Sequence, residues 1–238
     1  NRTLTVMNEQ IASRFFNLVD SPASLVYRAA SVGAKCLAFF PHDKRSWECP
    51  LPPTAAQVAE FKQACHKCNI APWNIVVHGP YTLAPGSIDE ETLKKTKTTM
   101  LAHIEYLHAL GIRYYNIHAY EHGRKYVKSI YKLTLRSLEP IDKHDASEVH
   151  RFNTQVAVTL NVVLKMTEHC DVTICKSLTR VEVYLKLFAV LETGAGHNSQ
   201  PCDRFDDLRE IIDLVYEPRR VCVCFDTCHV FAAGNENC

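Results

Sequence analysis

Five side chains in this sequence, His78, His118, Glu192, Asp226 and His229, are of types that hold divalent metal ions. Imidazoles mixed with carboxylates suit zinc, manganese or iron, and a carboxylate such as Glu192 can bridge two ions. Each of the five closes or follows a short apolar run: Asn74–His78, Tyr114–His118, Leu187–Glu192 or Val221–Asp226. With 12 histidines in the chain, a single one at such a place is most simply a rim or core residue. The pattern repeats in four consecutive runs, and an accident would have to recur at each of them. Ions held this way lower the pKa of bound water towards neutrality and stabilise charge on phosphoryl oxygens.

The elements that must position these residues follow from periodicity. The four runs read as strands, as does Cys36–Phe40, with Leu4–Met7 as the expected first strand. Helical patterns near Pro22–Val32, Thr54–Asn69, Asp89–Leu110, Ser147–Glu168 and Asp203–Val215 fill the gaps. Thr54 with Gln57, and Ser87 with Glu90, have capping-box spacing. Gly33 and Gly111 stand where helix C-termini call for a left-handed residue. Runs such as NIVVH, FAVLE and VCVCFD are apolar almost throughout, as strands buried on both faces are. Strict β–α alternation implies a parallel sheet, either a closed barrel or a doubly wound layer. In βα barrels the C-terminal strand ends form the active-site rim, which is where the five residues fall.

About six strands precede Cys238, and an eight-stranded barrel needs about two more βα units. The expectation is therefore one TIM-type (β/α)8 barrel domain over residues 1–238, lacking its last two or so units. Insertions are expected at about 124–146 and 170–185. The first of them interleaves Lys and Arg with Tyr126 and Tyr131. A solvated amphipathic segment is favoured there over a phosphate-contacting surface. The chain begins at Asn1 rather than Met, so a processed or partial chain is expected.

Bulk properties narrow the classes. The 47% apolar and 22% charged residues are ordinary for a globular protein. No apolar run approaches the roughly 18 residues of a bilayer span, and no signal-peptide pattern opens the chain. A net charge of +1 is neutral on polyanionic partners, because nucleic-acid affinity depends on local basic patches. The 11 cysteines are scattered through helix and strand positions rather than arranged as a disulfide framework. That points to a reducing intracellular compartment, with nucleus, cytoplasm and mitochondrion left open. Cys65 and Cys68 form a C-x-x-C inside a helical pattern with no second such pair, and a structural role is favoured over a metal site.

Four stretches carry a more specific likeness. CFDTCHVFAAG (Cys224–Gly234) resembles the signature of the endonuclease IV family of apurinic/apyrimidinic endonucleases, in the xylose-isomerase-like superfamily of TIM barrels. VLETGAG (Val190–Gly196) resembles that family's glutamate motif, with Thr193 where the family usually has Asn. VVHGPY (Val76–Tyr81) and NIHAYEHG (Asn116–Gly123) resemble its two histidine motifs. The likeness spans about residues 22–234, and DTCHVFAAG is its most specific part.

The resemblance implies a barrel with three metal ions, usually zinc, that hydrolyses the phosphodiester 5′ to an abasic site. Transferred by motif, His78 and His118 bind one ion, Glu192 bridges it to a second, Asp226 binds the second and His229 a third. Glu192 is the residue on which catalysis is expected to turn. Tyr81 and Arg45 match family residues that enter DNA near the lesion, where the missing base has already reduced the unstacking cost. Trp47 matches too, in a packing role, and His122 occupies a family histidine position of unassigned role. The implied partner is double-stranded DNA with abasic sites, acted on by a monomer away from membranes.

The family's remaining ligands, a histidine, an Asp-x-His pair and a final glutamate, are expected beyond Cys238. Two alternatives follow. A truncated, non-catalytic lesion binder would keep one metal site and the DNA surface. A divalent-metal sugar isomerase or epimerase shares the barrel, and fold alone does not separate the two.

Overall fold

The structure is a computed structural model that describes residues 21–119, 146–166, 186–196 and 202–234. Helix α1 (Pro22–Ser31) starts at Ser21, whose hydroxyl accepts the Ser24 N–H, with proline in the first turn. Strand β1 (Leu37–Phe39) follows the turn at Gly33, where φ is +80°. Helix α2 (Ala55–Cys68) opens on the expected capping box. The Thr54 hydroxyl takes the Gln57 N–H and the Gln57 side chain takes the Thr54 N–H. Strand β2 (Ile75–His78) leads to α3 (Glu90–Leu110), which ends on Gly111 at φ +77°. Here the expected Ser87–Glu90 box is displaced. Asp89 caps α3 by accepting the Thr92 N–H at 2.7 Å, while Ser87 accepts the Asp89 N–H.

Strand β3 (Tyr114–Ile117) and helix α4 (Ala146–Met166) come next. They are followed by β4 (Phe188–Glu192), α5 (Phe205–Leu214), β5 (Val221–Cys224) and the short α6 (Thr227–Ala232). The expected strand at Leu4–Met7, both expected insertions (all but the first residue of α4), His122, Tyr126 and Tyr131 lie outside the described residues.

All four strand pairings are parallel and the order in the sheet is β1-β2-β3-β4-β5. A doubly wound sheet reverses at a switch point, so the unbroken order among the described residues is that of a barrel arc. Phe39, Ile75, Val77, Tyr115, Ile117 and Leu191 pack with Leu25, Phe61, Ile104, Leu107, Leu160 and Ile211 in one core. Burial of each such side chain contributes about 1.5–3 kcal/mol against chain entropy. Strand β5 departs from the double-sided burial expected of it. Val223 is 44% exposed, because among the described residues β5 pairs with β4 alone.

The N-terminal rim of the sheet is tied by one cation. Arg220, 5% exposed, donates from Nε to the Leu187 carbonyl at 3.0 Å and from Nη1 to the Leu164 carbonyl at 3.1 Å. It also pairs with Glu217 at 2.9 Å. The C-terminal rim is thereby left to chemistry and the N-terminal rim to stability, the usual division in this architecture.

Candidate metal centre

At the C-terminal rim the five expected side chains meet. His78 is the last residue of β2 and Glu192 the last of β4, while His118 comes one residue past β3. Asp226 and His229 follow β5. Asp226 caps α6, its Oδ1 accepting the N–H groups of Cys228 and His229 at 2.8 and 3.1 Å. A three-residue step on a helix brings the His229 ring back over Asp226, with Nδ1 3.7 Å from Oδ2.

Glu192 lies at the centre. Its Oε2 is 3.1 Å from His78 Nε2 and 3.4 Å from His118 Nε2, and its Oε1 is 3.4 Å from His229 Nδ1. His78, His118 and Glu192, all buried, form one group able to hold a metal ion. Glu192, Asp226 and His229 form a second, with the potential ligand atoms of each group within 4.8 Å of one another. His229 thus shares its group with Asp226 and Glu192.

Two backbone carbonyls orient the imidazoles. His78 Nδ1–H donates to the Gly79 carbonyl at 2.6 Å, and His229 Nδ1–H to the Thr193 carbonyl at 2.9 Å. A carbonyl only accepts, so these contacts assign the proton to Nδ1. The His78 Nε2 that faces Glu192 is then attracted to it only through a proton or a metal ion. Burial, aided by His78 and His229 and opposed by the Glu192 carboxylate, pushes the His118 imidazole down to about 4. Near neutrality His118 therefore offers a lone pair. Burial pushes the Glu192 carboxyl up, but the His78 hydrogen bond, the charges of His118 and His78 and the Asn116 amide together bring it down to about 2. Buried neutral imidazole beside a stable carboxylate is a donor set that fits zinc, manganese or iron.

Tyr81 stands at this centre too, and Arg45 lies on the loop whose Lys44 carbonyl holds Tyr81. The Tyr81 ring lies 5.8 Å from His78 and 5.7 Å from His118, and its N–H donates to the Lys44 carbonyl at 2.8 Å. Burial raises the Tyr81 hydroxyl above its usual range, Glu192 and Asp226 add to that, and Arg45 opposes it. Arg45 is exposed on the loop after β1, and Trp47 of the same loop packs on the core. Cys65 and Cys68 belong to neither metal-capable group; burial first, and Cys68 second, push the Cys65 thiol up to about 11. The eight described cysteines are all free thiols.

Sequence reasoning missed three contributors. Asn116 Nδ2 donates to Glu192 Oε2 at 2.6 Å, and Asn116 Oδ1 is buried with no hydrogen-bond partner among the described residues. Strand period 2 puts Asn116 on the same face as His118, a signal that was available. Thr193 Oγ1 accepts the Asp226 N–H at 3.0 Å, holding the β5 loop against β4. The Gly79 carbonyl, the third, has no side-chain signal at all.

The match to the xylose isomerase-like TIM barrel family covers residues 26–237. Among curated proteins, the "Probable endonuclease 4" of Chlorobium phaeobacteroides is 29% identical over 208 residues, 87% of this chain and 59% of that protein. The chain thus spans about three fifths of the length of that relative. Endonuclease IV from Thermus thermophilus superposes with a TM-score of 0.62 at 18% identity, covering 94% of this chain and 65% of that one. A 3-keto-D-glucoside 4-epimerase from E. coli superposes with a TM-score of 0.58 at 12% identity, covering 94% and 70%. Such distant likenesses show the fold alone. No helix among the described residues is long and apolar enough to cross a membrane. The family match runs through all five strands, and the chain belongs to the xylose isomerase-like TIM barrel family.

Proposed function

We propose that the full-length protein is a metal-dependent endonuclease that hydrolyses the phosphodiester 5′ to abasic sites in double-stranded DNA, the incision step of base excision repair. The observation that carries this reading is Glu192 shared between two metal-capable groups. A carboxylate shared by two such groups would let two ions act on one phosphodiester, the arrangement that two-metal phosphoryl transfer uses. His78 and His118 would hold one ion, with Glu192 bridging to a second held by Asp226, and with His229 serving the second or a third. When bound, zinc would supply a water acidic enough to attack near neutral pH and charge to stabilise the leaving oxygen. Gly79 and Thr193 hold the imidazoles in place by their carbonyls, and Asn116 holds the carboxylate.

Tyr81 favours the nuclease over an epimerase, since its ring stands beside the centre and is suited to a base stack, and Arg45 follows Lys44, whose carbonyl accepts the Tyr81 N–H. The endonuclease name of the curated relative supports the same choice. The test is chelation. EDTA should abolish cutting of an abasic duplex and zinc should restore it. Cutting that survives exhaustive chelation would overturn the metal mechanism, and tight binding with no cutting in zinc would establish a lesion binder instead. Tyr81→Ala should weaken affinity for abasic over intact duplex about tenfold, with the cleavage rate of bound DNA little changed. Unchanged discrimination in a gel-shift titration would remove Tyr81 from lesion recognition.

A further inference from the structure

One buried polar chain has no part in the metal centre. His103 of α3 is fully buried. Its Nε2 lies 2.7 Å from Nε2 of His42, and its Nδ1 lies 2.8 Å from the hydroxyl of Tyr115, itself 1% exposed. Two ring nitrogens at that distance share one proton, one ring donating and the other accepting. Burial lowers both imidazoles; His42 lowers His103 further, and the Asp43 backbone and nearby acids partly offset the effect on His42. Placing two imidazoles here carries a desolvation cost that a leucine in α3 would not. What the leucine would lack is direction, because the N···N contact fixes where His42 sits.

His42 opens the loop between β1 and α2 that carries Lys44 and Arg45. Two further ties hold this loop beside Tyr81. The Lys44 carbonyl accepts the Tyr81 N–H at 2.8 Å, and the Ser46 carbonyl accepts the Thr82 hydroxyl at 3.1 Å. The Lys44 ammonium also stands 5.9 Å from the centre of the Tyr81 ring. The His42–His103 contact thus joins the loop to α3, and through Tyr115 to β3, the strand that presents Asn116 and leads to His118.

We infer that His103 is a positioning residue for lesion recognition: acting through His42, it fixes the loop that sets Arg45 beside Tyr81, and so sets the preference for abasic over intact duplex. This rests on the endonuclease reading above. Affinities for abasic and intact duplex would be measured with the zinc-loaded full-length protein, its His103→Phe and Arg45→Ala variants, and the double variant. Each single change should reduce the abasic preference about tenfold, the double no more than Arg45→Ala alone, and zinc content should not change. A merely structural role would instead multiply the two losses. Multiplied losses, or an unchanged preference in His103→Phe, would overturn the inference.

Should His103→Phe not fold, His42→Leu breaks the same contact from the side of the half-buried loop residue and is read in the same way. Amide exchange separates this inference from the reading beneath it. Exchange at residues 42–47 and at Tyr81 should quicken about tenfold in either variant while β2 and β3 stay protected. If the wild-type protein shows no abasic preference, the endonuclease reading falls, and the exchange alone then decides whether His103 holds the loop. Unchanged exchange overturns that as well.

Discussion

Replacing Glu192 by Gln in the full-length protein is expected to reduce incision of abasic duplex by at least about 10³-fold while leaving the fold in place. The amide has nearly the shape of the carboxylate, so Asn116 and the core around it need not move. What it lacks is charge on both oxygens, and both are used: Oε2 faces His78 and His118, and Oε1 faces His229. Bound zinc should fall in step with activity, which metal analysis of the purified variant reads directly. Stability follows from linkage. The folded protein holds Glu192 at about 2, below its ordinary 4.5. Its contribution in the metal-free protein is therefore complete above about 4.5 and lost as pH falls towards 2. The Gln variant should give an unaltered circular dichroism spectrum, and unlike the wild type its metal-free form should show no loss of stability from Glu192 protonation as pH falls below about 4.5. Undiminished cutting by a well-folded Gln variant would remove Glu192 from the mechanism and overturn the reading of it as a carboxylate shared between two metal-capable groups.

The second large effect concerns the opposite rim. Arg220→Leu should destabilise the protein by about 3–5 kcal/mol, because it removes the buried guanidinium that donates to the Leu187 and Leu164 carbonyls and leaves Glu217 without its cation. For a chain of this size that is a fall in Tm of roughly 10 °C. Leucine replaces much of the aliphatic stem, so the loss measures the hydrogen bonds to Leu187 and Leu164 more than the packing. A loss below about 1 kcal/mol in urea unfolding would show that the surroundings relax to satisfy those carbonyls another way. The variant should bind zinc as the unaltered protein does, since the candidate metal centre lies at the other end of the strands.

The five described strands were legible because they are written as short apolar runs, β5 among them although Val223 is exposed. The caps were legible where a single residue dictates the turn, as at Thr54 and Gly111. At α3 two candidates compete, and Asp89 displaces Ser87 because the carboxylate reaches the Thr92 N–H directly. Helix α6 has no such signal: its six residues are too few for periodicity to show, and the ligand chemistry of Asp226 and His229 hides the capping role of Asp226. The metal-capable cluster was legible because types and strand-end positions coincide four times over. The supports around it were not. Backbone carbonyls such as those of Gly79 and Thr193 have no letter in the alphabet. The contact between His42 and His103 joins residues 61 apart, with no local pattern to announce it.

The unbroken strand order bears also on how such a chain comes off the ribosome. Each strand pairs with the one made just before it, so a partner is already outside the exit tunnel when the next strand emerges. Among the described strands, assembly can proceed by adding one βα unit at a time, each new strand meeting a partner already made. The stretch between β3 and β4 is roughly twice as long as that between β2 and β3, yet logarithmic loop closure makes the delay cost only about 0.6 kcal/mol more. Nascent chains released at successive lengths should accordingly gain protease resistance in steps, one for each completed strand.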